Sequence, residues 1–172
     1  CTGSGCLAVL AALTYPNAIV DAVDLSAEAL QVAQRNVADY GLADRITLQQ
    51  SDLFGALGSR RYDLIISNPP YVSAEAVAAF PPEYRAEPIM AHAGGEDGLD
   101  LVRRILTDAP GHLERDGVLV VEVGTGLDIL EQEFPHLPFL WLDTEDSTGE
   151  VFALTAPELM AANQAEGRGR KR

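Results

Sequence analysis

Four consecutive residues have the clearest chemical meaning in this sequence: Asn68, Pro69, Pro70 and Tyr71, which we call the NPPY segment. A planar amide or aromatic amine nitrogen is a poor nucleophile because its lone pair is delocalised, so an enzyme must orient it with acceptors placed in its plane. The Asn68 side-chain oxygen and the Pro69 carbonyl can serve as those acceptors, and the Tyr71 ring offers a face for stacking. The segment therefore suits methyl transfer to a planar nitrogen, although a rigid turn that merely ends a strand is the alternative.

A second constellation lies at the start of the sequence, where small residues lead into an apolar helical pattern. This glycine loop consists of Cys1, Thr2, Gly3, Ser4 and Gly5. Glycines allow a ligand to approach the backbone, and Asp24, at the end of the next predicted strand, can accept hydrogen bonds from both hydroxyls of a ribose. The pattern fits a dinucleotide enzyme as well as an S-adenosylmethionine enzyme, and a tight turn with a surface aspartate would also produce it.

Asp52 and Leu53 follow another predicted strand, at 45–50. In a doubly wound sheet the ends of the early strands converge on one crevice, so Asp24 and Asp52 can bracket a nucleoside. Asp52 could equally be an ordinary turn residue.

The elements that must position these residues alternate between strand and helix patterns. Strands are predicted at 18–24, 45–50, 62–67, 117–123, 139–143 and 150–155, and helices at 27–40, 99–113 and 126–134. Ser26 can cap the first of these helices and Gly41 can end it, whereas Pro110 must break the second. This order predicts an α/β, Rossmann-like doubly wound sheet, mostly parallel, with an antiparallel C-terminal hairpin.

Composition narrows the classes of partner. The net charge is −14, and the last five positions hold four of the twelve basic residues, which are Arg168, Arg170, Lys171 and Arg172. So acidic a body disfavours nucleic acid as the main substrate and suits a basic protein partner, or it only keeps the domain soluble. Residues 161–172 are expected to be a basic, disordered tail beyond a single domain at 1–160.

Cysteine and histidine usage gives no sign of a metal site. Cys1 and Cys6 make no disulfide framework, and the three histidines lie far apart without ligand spacing. We expect a reduced, cytoplasmic protein with no bound metal and, since no long apolar run occurs, no membrane span.

The motifs together resemble class I S-adenosylmethionine-dependent methyltransferases that act on planar nitrogens. The stretch "FPPEYRAEPIMAHAGGEDGLDLVRRIL" at 80–106 resembles the protein-(glutamine) methyltransferase family, which modifies release factors and ribosomal proteins. Within that family, "FPHLPFLWLDTEDSTGEVFALT" at 134–155 is similar to the branch that methylates a glutamine of large-subunit ribosomal protein three. The resemblance extends over nearly the whole chain to about residue 160.

The resemblance implies a role for each matched position. The glycine loop, Asp24 and the Asp52–Leu53 pair would contact S-adenosylmethionine. Asn68 would lie between cofactor and substrate, and the rest of the NPPY segment would complete a glutamine clamp. Three further positions in the long connection after the segment match the family, and they would either pack that connection or contact the substrate: Tyr84, Arg85 and Glu87.

One departure from the family stands out. Its members carry, before the glycine loop, a helical recognition domain and a strand ending in an acid, and neither precedes Cys1. We therefore expect an incomplete domain that lacks its first strand, with unpaired strand edges in the middle of the sheet and with weak or no turnover by itself.

Four other functions stay open at this point. A release-factor glutamine methyltransferase shares the resemblance, and a DNA or RNA adenine or cytosine amino-methyltransferase would use the same clamp on a flipped base. A nicotinamide-dependent enzyme leaves the NPPY segment unexplained. A non-catalytic nucleoside-binding fragment is the fourth.

Overall fold

The computed structural model describes residues 1–72, 94–143 and 148–169, with side chains described as far as Ala162. The chain divides into two compact units, Cys1–Gly58 and Ser59–Arg172. Each unit contains a sheet and the helices that cover it. We refer to them as the first and the second unit.

The first unit is a small parallel sheet with two helices. In chain order it comprises α1 (Cys6–Thr14), β1 (Val20–Asp24), α2 (Ala27–Asp39) and β2 (Ile46–Gln50). The strands β1 and β2 are parallel and in register from Val20 opposite Ile46 to Asp24 opposite Gln50. Both carboxyl ends therefore lie at one edge of the sheet, next to the residues that follow them.

Local chemistry explains where α2 begins and ends. Ser26 Oγ accepts a hydrogen bond from the Ala29 N–H at 3.1 Å, which satisfies one of the free donors of the first turn. Gly41, with φ of 66°, lies just beyond the end of the helix, in a conformation that glycine adopts without steric cost. The predicted cap and the predicted stop are both confirmed.

The second unit is a mixed four-stranded sheet. It comprises β3 (Tyr62–Ser67), α3 (Asp100–Asp108), a 3₁₀ turn (Ala109–Gly111), β4 (Leu113–Glu122), α4 (Leu127–Glu133), β5 (Leu140–Leu142), β6 (Val151–Thr155) and α5 (Ala156–Gly169). The strand order is β3-β4-β6-β5. The pair β3 and β4 is parallel, while β6 is antiparallel to both of its neighbours, β4 and β5, so the predicted C-terminal hairpin is confirmed.

The core of the second unit lies between this sheet and its helices. Leu119, Val121 and Phe152 on the strands are completely buried, and Val102 and Ile105 of α3 are buried as well. Pro110 lies in the 3₁₀ turn, so the helical pattern predicted for 99–113 ends as a regular helix at Asp108. In β4 the side chains of Leu119 and Val121 are buried, whereas those of Val118 and Val120 are half-buried, so the strand is fully covered on one face only.

Two further elements differ by four residues or more from the sequence-based expectation. Strand β4 begins at Leu113 rather than at 117, because Leu113 pairs with Tyr62 before the register shifts between Tyr62 and Leu64. The backbone is helical from Ala156 to Gly169, where residues 161–172 were expected to be disordered. Leucine, alanine and glutamate in this stretch favour helix, and Pro157 falls in its first turn, where proline is tolerated.

Both units leave apolar surface uncovered. Among the described residues, β1 and β3 each pair along one edge only. Ile66 of β3 is 41% exposed, and Leu10 and Leu13 of α1 are 57% and 51% exposed.

None of the helices in the described part of the chain combines the length and the apolar character needed to cross a membrane.

Candidate active site

The NPPY segment begins where β3 ends, beside the last residue of β4. Ser67 is the last residue of β3 and pairs with Val121, so Asn68 and Glu122 follow at the same level on neighbouring parallel strands. Asn68 Nδ2 donates a hydrogen bond to Glu122 Oε2 at 2.9 Å. The Tyr71 hydroxyl donates to Glu122 Oε1, also at 2.9 Å. One carboxylate therefore holds both hydrogen-bonding side chains of the segment.

The two prolines lie between these side chains. Pro69 is completely buried and Pro70 is half-buried, whereas Asn68 is exposed. The Gly94 N–H donates to the Val72 carbonyl at 2.9 Å. A Cβ on Gly94 would lie 2.6 Å from the Pro70 carbonyl oxygen, so only glycine allows this close approach. The backbone of Pro70 and Val72 therefore lies against Gly94.

The Tyr71 ring packs directly against the backbone of Gly124. A Cβ on Gly124, which has φ of 53°, would lie 2.7 Å from Tyr71 Cδ2. Partial burial is the main reason that the pKa of Tyr71 rises to about 12, and the hydrogen bond and charge of Glu122 together with the charge of Glu150 add to it. At neutral pH the hydroxyl keeps its proton and can donate to Glu122.

The glycine loop folds onto the carboxylate of Asp24. The Gly3 N–H donates to Asp24 Oδ2 at 2.8 Å, and the Ser26 N–H donates to Asp24 Oδ1 at 2.9 Å. The Thr2 N–H donates to the Val23 carbonyl at 2.9 Å. A carboxylate has about four acceptor positions, so two backbone donors leave room for two hydroxyl donors.

Close packing on α2 fixes the other end of the loop. A Cβ on Gly5, which has φ of 80°, would lie 3.0 Å from the Ala33 Cβ. Asn36 Nδ2 donates to the Ser4 carbonyl at 2.8 Å. Helix α1 starts directly after Gly5 without a capping side chain, so its first N–H groups are available to a ligand.

The turn after β2 brings Asp52 and Leu53 to the same edge of the two-stranded sheet as Asp24. The Ser51 N–H donates to the Asp24 carbonyl at 2.9 Å. Ser51 Oγ donates to the Leu53 carbonyl at 2.7 Å and accepts from the Ala56 N–H at 2.9 Å. Leu53 has φ of 47°, and no other described residue apart from glycines has a positive φ. A backbone held in so rare a conformation is often part of a functional site.

The predicted site residues fall into two sets. The glycine loop, Asp24, Asp52 and Leu53 come together in the first unit, and the NPPY segment lies in the second. The predicted positions Tyr84, Arg85 and Glu87 lie outside the described residues. Across 1–72, 94–143 and 148–169, no cluster of His, Cys, Asp or Glu side chains is arranged to hold a metal ion.

Sequence reasoning missed Glu122. In the sequence it is an acid inside the apolar run "GVLVVEV", and nothing in the run marks it as functional. The available signal is positional: it ends the strand parallel to the one that carries the NPPY segment, and acids at the carboxyl ends of such strands face the ligand edge of the sheet.

Comparison with known proteins places the chain among methyltransferases. Residues 1–80 match the methyltransferase small domain family. The chain is 63% identical over 159 residues to the ribosomal protein uL3 glutamine methyltransferase of Bradyrhizobium diazoefficiens. The matching region covers 92% of this chain and 50% of that protein. The protein of the same name from Bordetella pertussis is 58% identical over 92% of this chain and 53% of its own length.

Solved structures agree on the fold. The catalytic domain of hMettl16 in complex with MAT2A 3′UTR hairpin 1 superimposes with a TM-score of 0.62 at 22% identity, over 90% of this chain and 61% of that one. A methyltransferase from Pyrococcus furiosus has a TM-score of 0.62 at 20% identity, over 90% and 71% of the two chains. At these identities the likeness establishes a class I methyltransferase α/β fold.

The relatives are longer than this chain, which spans about half the length of the curated proteins that it matches. Within that span the identities to these two proteins are 63% and 58%. Over this span the chain is homologous to the proteins named ribosomal protein uL3 glutamine methyltransferases.

Proposed function

We propose that the protein containing this chain transfers a methyl group from S-adenosylmethionine to the side-chain amide nitrogen of a glutamine in ribosomal protein uL3. The observation that carries the proposal is the NPPY segment at the end of β3, in a chain 53–63% identical to proteins named for that reaction. Their name favours uL3 over a release factor or a nucleic acid. A net charge of −14 also suits a basic ribosomal protein as the partner.

The cofactor would be held by the residues gathered in the first unit. Asp24 would accept from the ribose hydroxyls through the acceptor positions that Gly3 and Ser26 leave open. The glycine loop would allow close approach of the methionine part, with Cys1, Thr2, Ser4 and Gly5 as backbone contacts, and the Asp52–Leu53 turn would lie against the adenosine. When bound, S-adenosylmethionine supplies an electrophilic methyl group on its sulfonium.

The NPPY segment would prepare the acceptor. Asn68 Oδ1 and the Pro69 carbonyl would accept the two N–H groups of the glutamine amide, which fixes its plane and favours positive charge growing on its nitrogen. The Tyr71 ring would stack on that plane, and Pro70 would stiffen the turn between them. The amide nitrogen would form a bond to the methyl group as the sulfonium S–CH3 bond breaks, which would leave a neutral thioether. The nitrogen would then release one proton to solvent, so that the product would again be a neutral amide.

A transfer assay tests the proposal. Full-length protein that contains this chain would be incubated with methyl-labelled S-adenosylmethionine in three separate reactions. One reaction contains purified uL3, one a release factor and one DNA. We expect label in one glutamine of uL3, located by mass spectrometry of its peptides. Label in the release factor or in DNA, with none in uL3, would overturn the substrate assignment. Because ribosomal proteins are made in the cytoplasm, the proposed reaction would take place there.

A further inference from the structure

The side chain of Glu122 contacts the reacting segment through both of its oxygens. Oε2 accepts from Asn68 Nδ2 and Oε1 accepts from the Tyr71 hydroxyl, each at 2.9 Å. Neither donor belongs to the strand that carries Glu122. The register explains the contact, because the last β3–β4 pair joins Ser67 to Val121 and the next residue on each strand projects at the same edge.

This contact decides which way the Asn68 amide faces. An asparagine side chain can turn its oxygen or its NH₂ group toward a neighbour, because the two ends are similar in size. A carboxylate only accepts hydrogen bonds, so Glu122 can bind the NH₂ end but would repel the oxygen. With Nδ2 committed to Glu122, Oδ1 occupies the other branch of the amide, where it can accept from a ligand.

The same carboxylate also fixes the aromatic part of the segment. The Tyr71 hydroxyl is tied to Oε1 while the ring is confined by the backbone of Gly124. Glu122 is half-buried, and its hydrogen bond with the Tyr71 hydroxyl is partly shielded from competing water. Two side chains that must act on one substrate group are thus aligned by a single residue of the neighbouring strand.

We propose that Glu122 is the positioning residue of the methyl-acceptor site, orienting Asn68 Oδ1 and the Tyr71 ring toward the glutamine amide; this rests on the function proposed above. Glu122 acts through the NPPY segment and does not itself contact the substrate. Its loss misplaces the acceptors, which lowers the rate of transfer and leaves cofactor binding intact.

The first test replaces the carboxylate without changing its shape. In Glu122→Gln the side chain can either accept or donate, so Asn68 is no longer held in one orientation. We expect kcat with uL3 to fall about tenfold or more, while the dissociation constant of S-adenosylmethionine stays within twofold. The matched control is Glu131→Gln, whose carboxylate also accepts a side-chain hydrogen bond, from Trp141 Nε1 at 2.9 Å, and which should keep wild-type kcat. A wild-type kcat in Glu122→Gln would overturn the proposal.

The second test exchanges the polarity of the pair. In Asn68→Asp alone, the new carboxylate at position 68 faces the carboxylate of Glu122. The two repel each other, and the side chain at position 68 is displaced. Adding Glu122→Gln supplies an NH₂ donor to the new aspartate and leaves its second oxygen to face the substrate. We expect the double variant to be at least threefold more active than Asn68→Asp alone, a rescue that a purely structural role of Glu122 does not produce. Equal or lower activity of the double variant would contradict the inference.

A third measurement needs no Glu122 variant and no substrate. In the wild-type protein, side-chain amide NMR resonances of Asn68 are assigned by their disappearance in Asn68→Asp. We expect one of the two protons to be shifted downfield and to exchange slowly, because it is bonded to Glu122. Proton shifts and exchange rates like those of a solvent-exposed asparagine amide would overturn the proposal even if every Glu122 variant unfolds.

These readouts separate the inference from the proposed function. If the protein methylates a release factor instead of uL3, the proposed substrate is wrong, but the same kcat ratios can be measured with that acceptor. If no acceptor is methylated, the NMR result still decides the orientation of Asn68.

Discussion

Asp24 and Gly3 are joined by a hydrogen bond of 2.8 Å from the Gly3 N–H to Asp24 Oδ2. The acid expected to bind a ribose therefore also holds the glycine loop in place. The other carboxylate oxygen, Asp24 Oδ1, accepts a hydrogen bond from the Ser26 N–H at 2.9 Å. Losing the carboxylate would remove the proposed ribose contact and release the loop at the same time.

We expect Asp24→Ala to weaken S-adenosylmethionine binding by about 1.5–3 kcal/mol, the usual range for hydrogen bonds to a charged group. Isothermal titration of the full-length protein with the cofactor would measure this. Asp39→Ala, which removes an exposed carboxylate from the same unit, is the control and should bind normally. Unchanged affinity in Asp24→Ala would count against the ribose assignment.

Asn68→Ala should separate chemistry from cofactor binding. The alanine cannot accept from the glutamine amide, so we expect transfer to uL3 to be abolished while the dissociation constant of the cofactor changes little. Labelled transfer and titration on the same preparation would measure both. Undiminished turnover would sink the mechanism, and a parallel loss of cofactor binding would mean that Asn68 has another role.

Sequence patterns predicted strand β3 to the residue, at 62–67, because an apolar run ends there at two prolines that cannot pair onward. They also placed Asp24 at the end of β1. Glu122 escaped notice because its role depends on register with a strand far away in the sequence. The positive φ of Leu53 could not be predicted either, since it is imposed by the hydrogen bonds of Ser51 and not by the preference of leucine.

Acid stability should depend on an ion pair at the start of α3. Hydrogen bonds from Arg103 are the main reason that the pKa of Asp97 falls to about 2, and the Leu99 N–H contributes as well. Arg103 Nη2 lies 2.6 Å from Asp97 Oδ2, and the same guanidinium binds Glu133. A carboxyl group with a lowered pKa stabilises the folded state above its unfolded value of about 3.9, and this contribution is lost as the pH falls toward 2.

Asp97→Asn should therefore reduce stability at neutral pH and make it less sensitive to acid between pH 4 and 2. Because both side chains are partly exposed, we expect a loss below about 1 kcal/mol at pH 7. Denaturant unfolding at several pH values would measure it. Asp108→Asn, an exposed aspartate at the end of the same helix, should leave the pH profile unchanged. A parallel profile for Asp97→Asn and wild type would refute the ion-pair contribution.

Gly124 should matter for activity because of the Tyr71 ring. In Gly124→Ala the new Cβ would lie 2.7 Å from Tyr71 Cδ2, and alanine at φ of 53° adds about 1–2 kcal/mol of backbone strain. The ring must move, so we expect kcat for uL3 to fall about tenfold with little change in cofactor affinity. Gly111→Ala is the matched control, because its Cβ would meet nothing within 4 Å. In a Tyr71→Ala background, Gly124→Ala should cause no further loss of kcat, since the ring that it displaces is already gone. A full additional loss there would show that Gly124 acts through the backbone and not through Tyr71.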